Sequence, residues 1–539
     1  MMYETVIASI VKILLNIGSF MLKKIRADKT PKQQPIILIR PESENTNFTG
    51  RKSHLKKIRK ELKVHGMATL WGNGGFGKTQ IAAEYAHKRK RKKYKHILFA
   101  DAADVGALEK SYREIAKRTG LRLTRDDGSG KEVDFDTVKN HVILWLESSE
   151  KCLLVYDNAE GLKEKLRDYI PNTDMFNGHM LFCTRLYEHR YISHKPISVE
   201  AFEPTDAVAF LKKSITNINI DDGDARKLAT VLDCIPLALR IAAAYINNMD
   251  KRVSRYIELL EQDKLKYLDM DIPDYEKKIT ATWNISVEAL SEEVRQLFYL
   301  CAYCTPDDIP LSMFIDGSAN LPSPLSEKLA PDNEREHDRI LKELKDFALL
   351  TYRWDDDDNA LMTIHGLVQE TVRHNHGEDD RWLKVCLDVV HGSFRYGDGN
   401  KHDADKFMRG LPHVLKIAEH VKEKAYEDDE ALTKLGWLYN EAGNGFLNQG
   451  SYDKALEWHQ KALVIYGKVL GTEHPSTATT YNNMACIHYD LGNHTEALNL
   501  FQKAYDVLLC RLGENHPHTI STKTDIEITK KKLEQCPPS

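Results

Sequence analysis

Ala68-Thr69-Leu70-Trp71-Gly72-Asn73-Gly74-Gly75-Phe76-Gly77-Lys78-Thr79 is the stretch on which the fold turns. Ala68 to Trp71 have strand character, Gly72 to Thr79 fit GxxxxGK[ST], and Gln80 to His87 continue as a helix. In that setting the glycines let backbone N–H groups turn inward on phosphate oxygens. Lys78 reaches the outer phosphates and the Thr79 hydroxyl is placed to ligate Mg²⁺. The alternative, a Gly-rich turn that happens to precede Lys-Thr, would not need both the strand and the helix.

Working outward, apolar runs of strand length alternate with helical patterns: Met67 to Trp71, His96 to Ala100, Cys152 to Tyr156, His179 to Cys183 and Pro196 to Val199. Such alternation predicts a parallel sheet covered on both faces. Leu153-Leu154-Val155-Tyr156-Asp157 is a buried strand ending in an acid, so Asp157 is the second metal residue with Thr79. Asn158 follows, where a second carboxylate would commonly polarise the attacking water. Asn cannot accept a proton, which predicts slow hydrolysis.

Composition narrows the class. The chain has 539 residues, enough for three or four domains, and its 76 Lys+Arg against 80 Asp+Glu give no electrostatic case for a nucleic-acid partner. Its nine cysteines are scattered and several sit in apolar runs, which predicts reduced thiols and a cytoplasmic location. Cys301 and Cys304 form a lone CxxC, expected as an i, i+3 pair on a core helix rather than a zinc site. The basic run His87 to Lys95 could be a nuclear signal or a nucleic-acid patch. The expectation here is the solvated continuation of the helix after the phosphate loop.

Helical periodicity dominates from Asp206 to Leu300, a mixed region follows to about 380, and Asp355 to Asp358 read as the tip of a hairpin. Trp283 is expected in a domain core. Between Thr124 and Asp134 the composition predicts a surface loop. Further on, Tyr439, Gly450, Ala455, Ala462, Leu470, Gly471, His474 and Pro475 recur 42 residues later as Tyr481, Gly492, Ala497, Ala504, Leu512, Gly513, His516 and Pro517. This pattern resembles the tetratricopeptide repeat in its long, kinesin-light-chain-like form, with Thr519 to Glu534 as a capping helix and 383 to 436 as degenerate earlier helices.

Phe48-Thr49-Gly50-Arg51, the phosphate loop and its acid, Thr184-Arg185, Cys234-Ile235-Pro236-Leu237-Ala238 and Ile364-His365-Gly366 stand in the order and spacing of the NB-ARC family. The chain thus resembles signal-transducing (STAND) ATPases that include apoptotic regulators, plant resistance proteins and NB-ARC–tetratricopeptide proteins. The resemblance implies an α/β P-loop NTPase domain on a parallel sheet, a helical domain, a winged-helix domain and an all-α tetratricopeptide solenoid. The expected limits are 1–34 for an N-terminal helix and linker, then 35–203, 204–275, 276–382 and 383–539.

It also implies ATP or ADP with Mg²⁺ as cofactors. Contacts are expected from Phe48, Thr49 and Arg51 at the adenine side, from Gly72, Asn73, Gly74, Gly75, Phe76, Gly77, Lys78, Thr79 and Gln80, and from Arg185, Pro236 and His365. Lys78, Asp157 and Arg185 would carry any catalysis, with Arg185 as the sensor of the γ-phosphate. Pro236 would pack on the base or ribose, and His365 would touch the β-phosphate of ADP in the closed state. Two positions depart from the family: Cys234 replaces the usual Gly, and Gly366 replaces the acid after His365, removing one carboxylate of the closed state.

The implied activity is an ATP/ADP switch, with slow hydrolysis, that senses a protein or peptide on its repeats and forms a homo-oligomer when ATP-bound, in defence or cell-death signalling. A transcription regulator of the same ATPase class, or a repeat scaffold with a vestigial nucleotide site, are the alternatives. A metabolic NTPase would need an acceptor site and a base, and neither is visible. Finally, Thr5, Ser9, Lys12, Asn16 and Ser19 fall on one stripe of an otherwise apolar segment. That predicts an amphipathic helix whose residues 5–24 contact a membrane or a helix bundle, or else pack permanently on the nucleotide domain.

Overall fold

The computed structural model describes residues 35–535, apart from 41–43, 91, 122, 124–132, 161, 186–194, 265–273, 356, 377–378, 395–400, 425–427 and 449. The N-terminal helix and most of the loop expected after Thr124 lie outside these residues.

Helix α1 (Lys52–His65) leads into β1 (Met67–Trp71), α2 (Lys78–Arg89), β2 (His96–Asp101), α3 (Val105–Arg118), α4 (Phe135–Ser148), β3 (Cys152–Asp157), β4 (His179–Thr184) and β5 (Ile197–Ser198). The strands form one sheet in the order β2-β3-β4-β1-β5, with every pairing parallel. Their near-continuous apolar sequence is what burial on both faces demands. One face carries Leu98, Leu154 and Phe182 under α3 and α4; the other carries Ile97, Val155 and Leu181 under α1 and α2. Residues Ile36 to Leu38 add a short parallel bridge to the edge of β2. Register places Asp101 opposite Asp157 and Trp71 opposite Thr184, so the strand ends that carry chemistry converge on one edge.

The basic run departs from expectation. Helix α2 stops at Arg89, where Lys90 turns to an extended conformation. The cause is Tyr94: its ring is buried, with its hydroxyl 3.4 Å from that of Tyr85, and the chain must reverse to bring it inside before β2. His87 is buried too, so the run is not one solvated helical end.

Beyond the sheet come α5 (Pro204–Ser214), α6 (Asp222–Val231), α7 (Pro236–Met249) and α8 (Val253–Lys264), then α9 (Asp274–Glu288) and α10 (Glu292–Cys301). Proline at the first turn of α5 and of α7 occupies a position where its missing N–H costs nothing. After β6 (Ile309–Pro310) follow α11 (Leu311–Asp316), α12 (Leu325–Lys328), α13 (Glu334–Asp346), β7 (Leu350–Trp354), β8 (Ala360–Ile364), α14 (Gly366–His376) and α15 (Arg381–Ser393). The three strands pair antiparallel in the order β6-β8-β7, and β7 and β8 are the two arms of a hairpin with Asp355 at its turn. Trp283 is buried against Phe298. Helix α10 ends at Cys301, so Cys304 sits in the turn after it rather than on the same helix. Both thiols are buried with Cys386, and burial raises all three pKa values above the ordinary range.

Helices α16 (Lys401–Glu423), α17 (Asp429–Asn448), α18 (Tyr452–Val469), α19 (Pro475–Asp490), α20 (His494–Leu512) and α21 (Pro517–Gln535) form an all-α array. Ala455, Ala462, Ala497 and Ala504 are fully buried where paired helices approach most closely. Gly443 shows how tight that approach is, since a Cβ there would lie 2.7 Å from the His459 ring.

The hydrophobic cores divide the molecule. One continuous core runs from Ala207 through α7, α10 and α15 to Ile487 in the repeats, whereas the sheet keeps its own two. Phe76 touches both bodies. Leu237, Ile279 and Leu367 approach the phosphate-loop glycines, and polar ties also join the bodies. Asp308, 6 % exposed, meets Arg40 at 3.4 Å and Lys110 at 3.3 Å from the sheet domain, and Arg353 at 3.0 Å from β7. These cations hold its carboxyl below the usual carboxylate range despite burial.

Candidate phosphate site

Between the two bodies lies a cleft of about 2600 Å³, lined by the phosphate loop, α7, the segment around His365 and the face of α18. The phosphate loop forms its floor. Gly72 has φ +153°, and a Cβ there would stand 2.2 Å from the Val199 carbonyl oxygen, so only glycine fits where β1 gives way to the loop. Gly75, with φ +79°, accepts a hydrogen bond from the Leu237 N–H at 3.2 Å, which fixes the start of α7 against the loop.

Lys78 Nζ donates to the carbonyls of Gly72 (2.7 Å) and Asn73 (3.0 Å), folded back over the loop, and burial lowers its pKa. Thr79 Oγ1 donates to Asp157 Oδ2 at 2.8 Å. Burial raises the pKa of Asp157, partly offset by Thr79 and Lys78. A desolvated carboxylate against a hydroxyl is an all-oxygen donor pair. It suits Mg²⁺, which takes one or two protein oxygens and completes its shell with phosphates and water. Thr79 and Asp157 are therefore the residues that fit the ion.

Asn158 has φ +54° and turns its amide toward Asp101, donating to Oδ1 at 3.1 Å. Asp101 is a site residue that the sequence reading missed. The same oxygen accepts from the Ala103 N–H, and burial pushes its carboxyl up to about 7, with Asp307 and Asp157 adding repulsion. Asp307 is itself raised to about 6. The available signal was in plain view: His96 to Asp101, like Cys152 to Asp157, is an apolar strand ending in an acid.

Arg185 follows β4, and its guanidinium meets Glu160 at 3.4 Å and Glu370 of α14 at 3.5 Å. A Cβ on Gly74 or Gly366 would each lie 3.7 Å from this side chain, which places Arg185 between the loop and the His365 segment. His365 Nδ1 accepts from the Leu367 N–H at 3.2 Å, leaving Nε2–H as a donor. Its imidazole is exposed to the cleft and enclosed by the surrounding walls. Burial first, then Arg185, Lys78 and Arg240, lower its pKa to about 4, so it is neutral at pH 7.

The adenine-side residues are placed differently. Arg51, with φ +59°, gives its guanidinium to the Glu200 (2.6 Å) and Phe76 (3.2 Å) carbonyls and lies over the Phe202 ring at 4.8 Å. Its side chain is thus committed to scaffolding. Thr49 Oγ1 donates to the Asn47 carbonyl, Phe48 lies beneath Lys88, and Gln80 accepts from Asn45. Pro236 opens α7 on the cleft wall. The fold thus brings the loop, Asp157, Arg185, Pro236 and His365 around one space, with Phe48, Thr49 and Arg51 at its rim.

Comparison with known proteins bears on the fold and the repeats. A tetratricopeptide repeat family model matches residues 434–509, and a domain of unknown function (DUF7779) matches 285–381. A nucleotide-binding leucine-rich repeat (NLR)-like protein of Hyaloscypha variabilis is 24 % identical over 497 residues, covering 82 % of this chain and 46 % of that protein. Regulatory protein AfsR of Streptomyces coelicolor is 22 % identical over 418 residues, 74 % of this chain and 39 % of that one. The chain spans less than half the length of these curated relatives. Among solved structures, a Signal Transduction ATPase with Numerous Domains (STAND) protein with a tetratricopeptide repeat sensor, from Pyrococcus horikoshii, aligns over 94 % of this chain and 91 % of its own. It does so at 12 % identity and a TM-score of 0.40, too loose a likeness to carry argument. Among the described residues no helix is long and apolar enough to cross a membrane.

Proposed function

We propose that this chain, a P-loop ATPase of the NB-ARC/STAND type with C-terminal tetratricopeptide repeats, works as a nucleotide-dependent switch. ADP with Mg²⁺ holds the two bodies closed on the cleft. A protein or peptide bound by the repeats favours exchange for ATP, separation of the bodies and assembly into a homo-oligomer. Residues 35–203 would be the nucleotide domain, 204–275 the helical domain, 276–382 a winged-helix domain and 383–539 the sensor.

The observation that supports this reading most is the division of the cores. A nucleotide can shift an equilibrium only through contacts that differ between two states. Here the candidate phosphate ligands come from both bodies: Lys78, Thr79, Asp157 and Arg185 from the sheet domain, His365 from the other. Among the described residues the bodies keep separate cores and meet through polar ties, Phe76 and the approach of Leu237, Ile279 and Leu367 to the loop glycines. Such an interface can open without unfolding either side.

The test is the nucleotide retained on purified full chain and the mass of the particle with ADP and with ATP. Copurified ADP and an ATP-dependent rise in mass are expected. A chain that binds neither nucleotide would be the repeat scaffold instead. The likeness to AfsR favours a second reading, a regulator of transcription; it would show as nucleotide-dependent binding to promoter DNA.

A further inference from the structure

Arg240 lies one turn into α7, the helix pinned to the phosphate loop through Leu237 N–H and Gly75 O. Its side chain opens onto the cleft. Other arginines around the cleft are engaged: Arg40 and Arg353 with Asp308, Arg51 with two carbonyls, Arg185 with Glu160 and Glu370. Among the described residues Arg240 has no carboxylate, carbonyl or aromatic partner. Arg240, Arg185 and Lys78 all act on His365, which sets the four groups around the same space. The surrounding walls of the cleft lower its pKa, and no acid offsets that effect.

The guanidinium is exposed to the cleft, so its five donors face solvent there rather than protein acceptors. An anion in the same space would give them partners. Guanidinium binds phosphate oxygens with two parallel N–H bonds, and the phosphate loop that receives them is one hydrogen bond from the base of this helix. We propose that Arg240 is a phosphate ligand for the bound nucleotide, contributed by the helical body and meeting the same phosphate chain as Lys78. This rests on the nucleotide-site reading above and adds a residue that no motif in the sequence marks. Leu237, Leu239 and Ile241 root α7 in the large core. The Arg240 contact would therefore bridge the two bodies and hold the cleft closed on a polyphosphate.

The experiment uses the full chain, Arg240→Ala, Arg240→Lys and Lys78→Ala, with ADP and adenosine titrated by calorimetry and the melting temperature taken with and without ADP. Arg240→Ala is expected to weaken ADP binding at least tenfold while leaving adenosine binding within twofold. It should melt no lower than wild type without nucleotide, because the lost group had no partner, yet gain less from ADP. Arg240→Lys should fall between the two. ADP affinity unchanged in Arg240→Ala but lost in Lys78→Ala would overturn the Arg240 assignment alone. Loss of melting temperature without nucleotide would show a structural role and overturn it as well. If Lys78→Ala also leaves ADP binding intact, the site reading itself fails and takes the proposal with it.

Discussion

Lys454 of the repeat array is ion-paired with Glu109 of the nucleotide domain, 345 residues earlier in the chain. Its ammonium also lies 5.2 Å from the Phe135 ring centre of the nucleotide domain and 5.3 Å from that of Phe446 in α17. The repeat array thus touches the sheet domain directly, at α3 and α4. Removing this tie in Lys454→Ala is expected to favour opening by about 1 kcal/mol, or roughly fivefold. Release of a fluorescent ADP analogue should accelerate by that factor. An unchanged release rate would assign the contact to packing alone.

Lys78→Ala removes the cation that faces the outer phosphates and now rests on two loop carbonyls. Retained nucleotide should disappear from the purified variant, as read by chromatography of the denatured protein, with the fold intact by circular dichroism. Nucleotide content equal to wild type would contradict the site assignment.

Turnover should be slow, below about 1 s⁻¹. Asn158 occupies the place of a base and cannot take a proton, and the carboxylate it faces, Asp101, already accepts from Asn158 and from the Ala103 N–H on one oxygen. Steady-state phosphate release by the full chain measures this, and several turnovers per second would refute it.

Asp101→Asn should stabilise the nucleotide-free protein, and more so at higher pH. The folded pKa stands near 7 against 3.8 for the free side chain. The folded state therefore binds more protons between those values, and wild-type stability through this group falls as pH rises from about 4 to about 7. The variant lacks that loss. Its advantage in urea unfolding should be small at pH 5 and on the order of 1 to 3 kcal/mol at pH 8. An advantage independent of pH would mean that Asp101 is ionised normally in the fold.

Much of this was legible in the sequence because periodicity and glycine chemistry act locally. The strand before Gly72, the acid that ends β3 and the 42-residue recurrence around Gly450 and Gly492 each depend on neighbours a few residues away. What was not legible depends on elements meeting in space. Asp101 gains its role from lying in register with Asp157, and strand order is not written in either strand. Arg240 is one polar residue on an amphipathic helix until α7 is docked on Gly75. Arg51 shows the converse, a motif residue whose side chain the fold spends on two carbonyls. The basic run misled for a similar reason: Tyr94 is drawn into the core, and eight charged or polar neighbours could not outweigh one buried ring.

The cleft that separates the sheet from the helical body has one more effect, on solvent. At roughly 30 Å³ per molecule its volume of about 2600 Å³ corresponds to on the order of 80 to 90 waters. Any parting of the walls draws in more. In the proposed switch the balance between closed and open forms would thereby be tied to the activity of water itself: crowded or osmotically stressed surroundings, which withhold water from protein surfaces, would bias the molecule toward closure with no ligand changing hands.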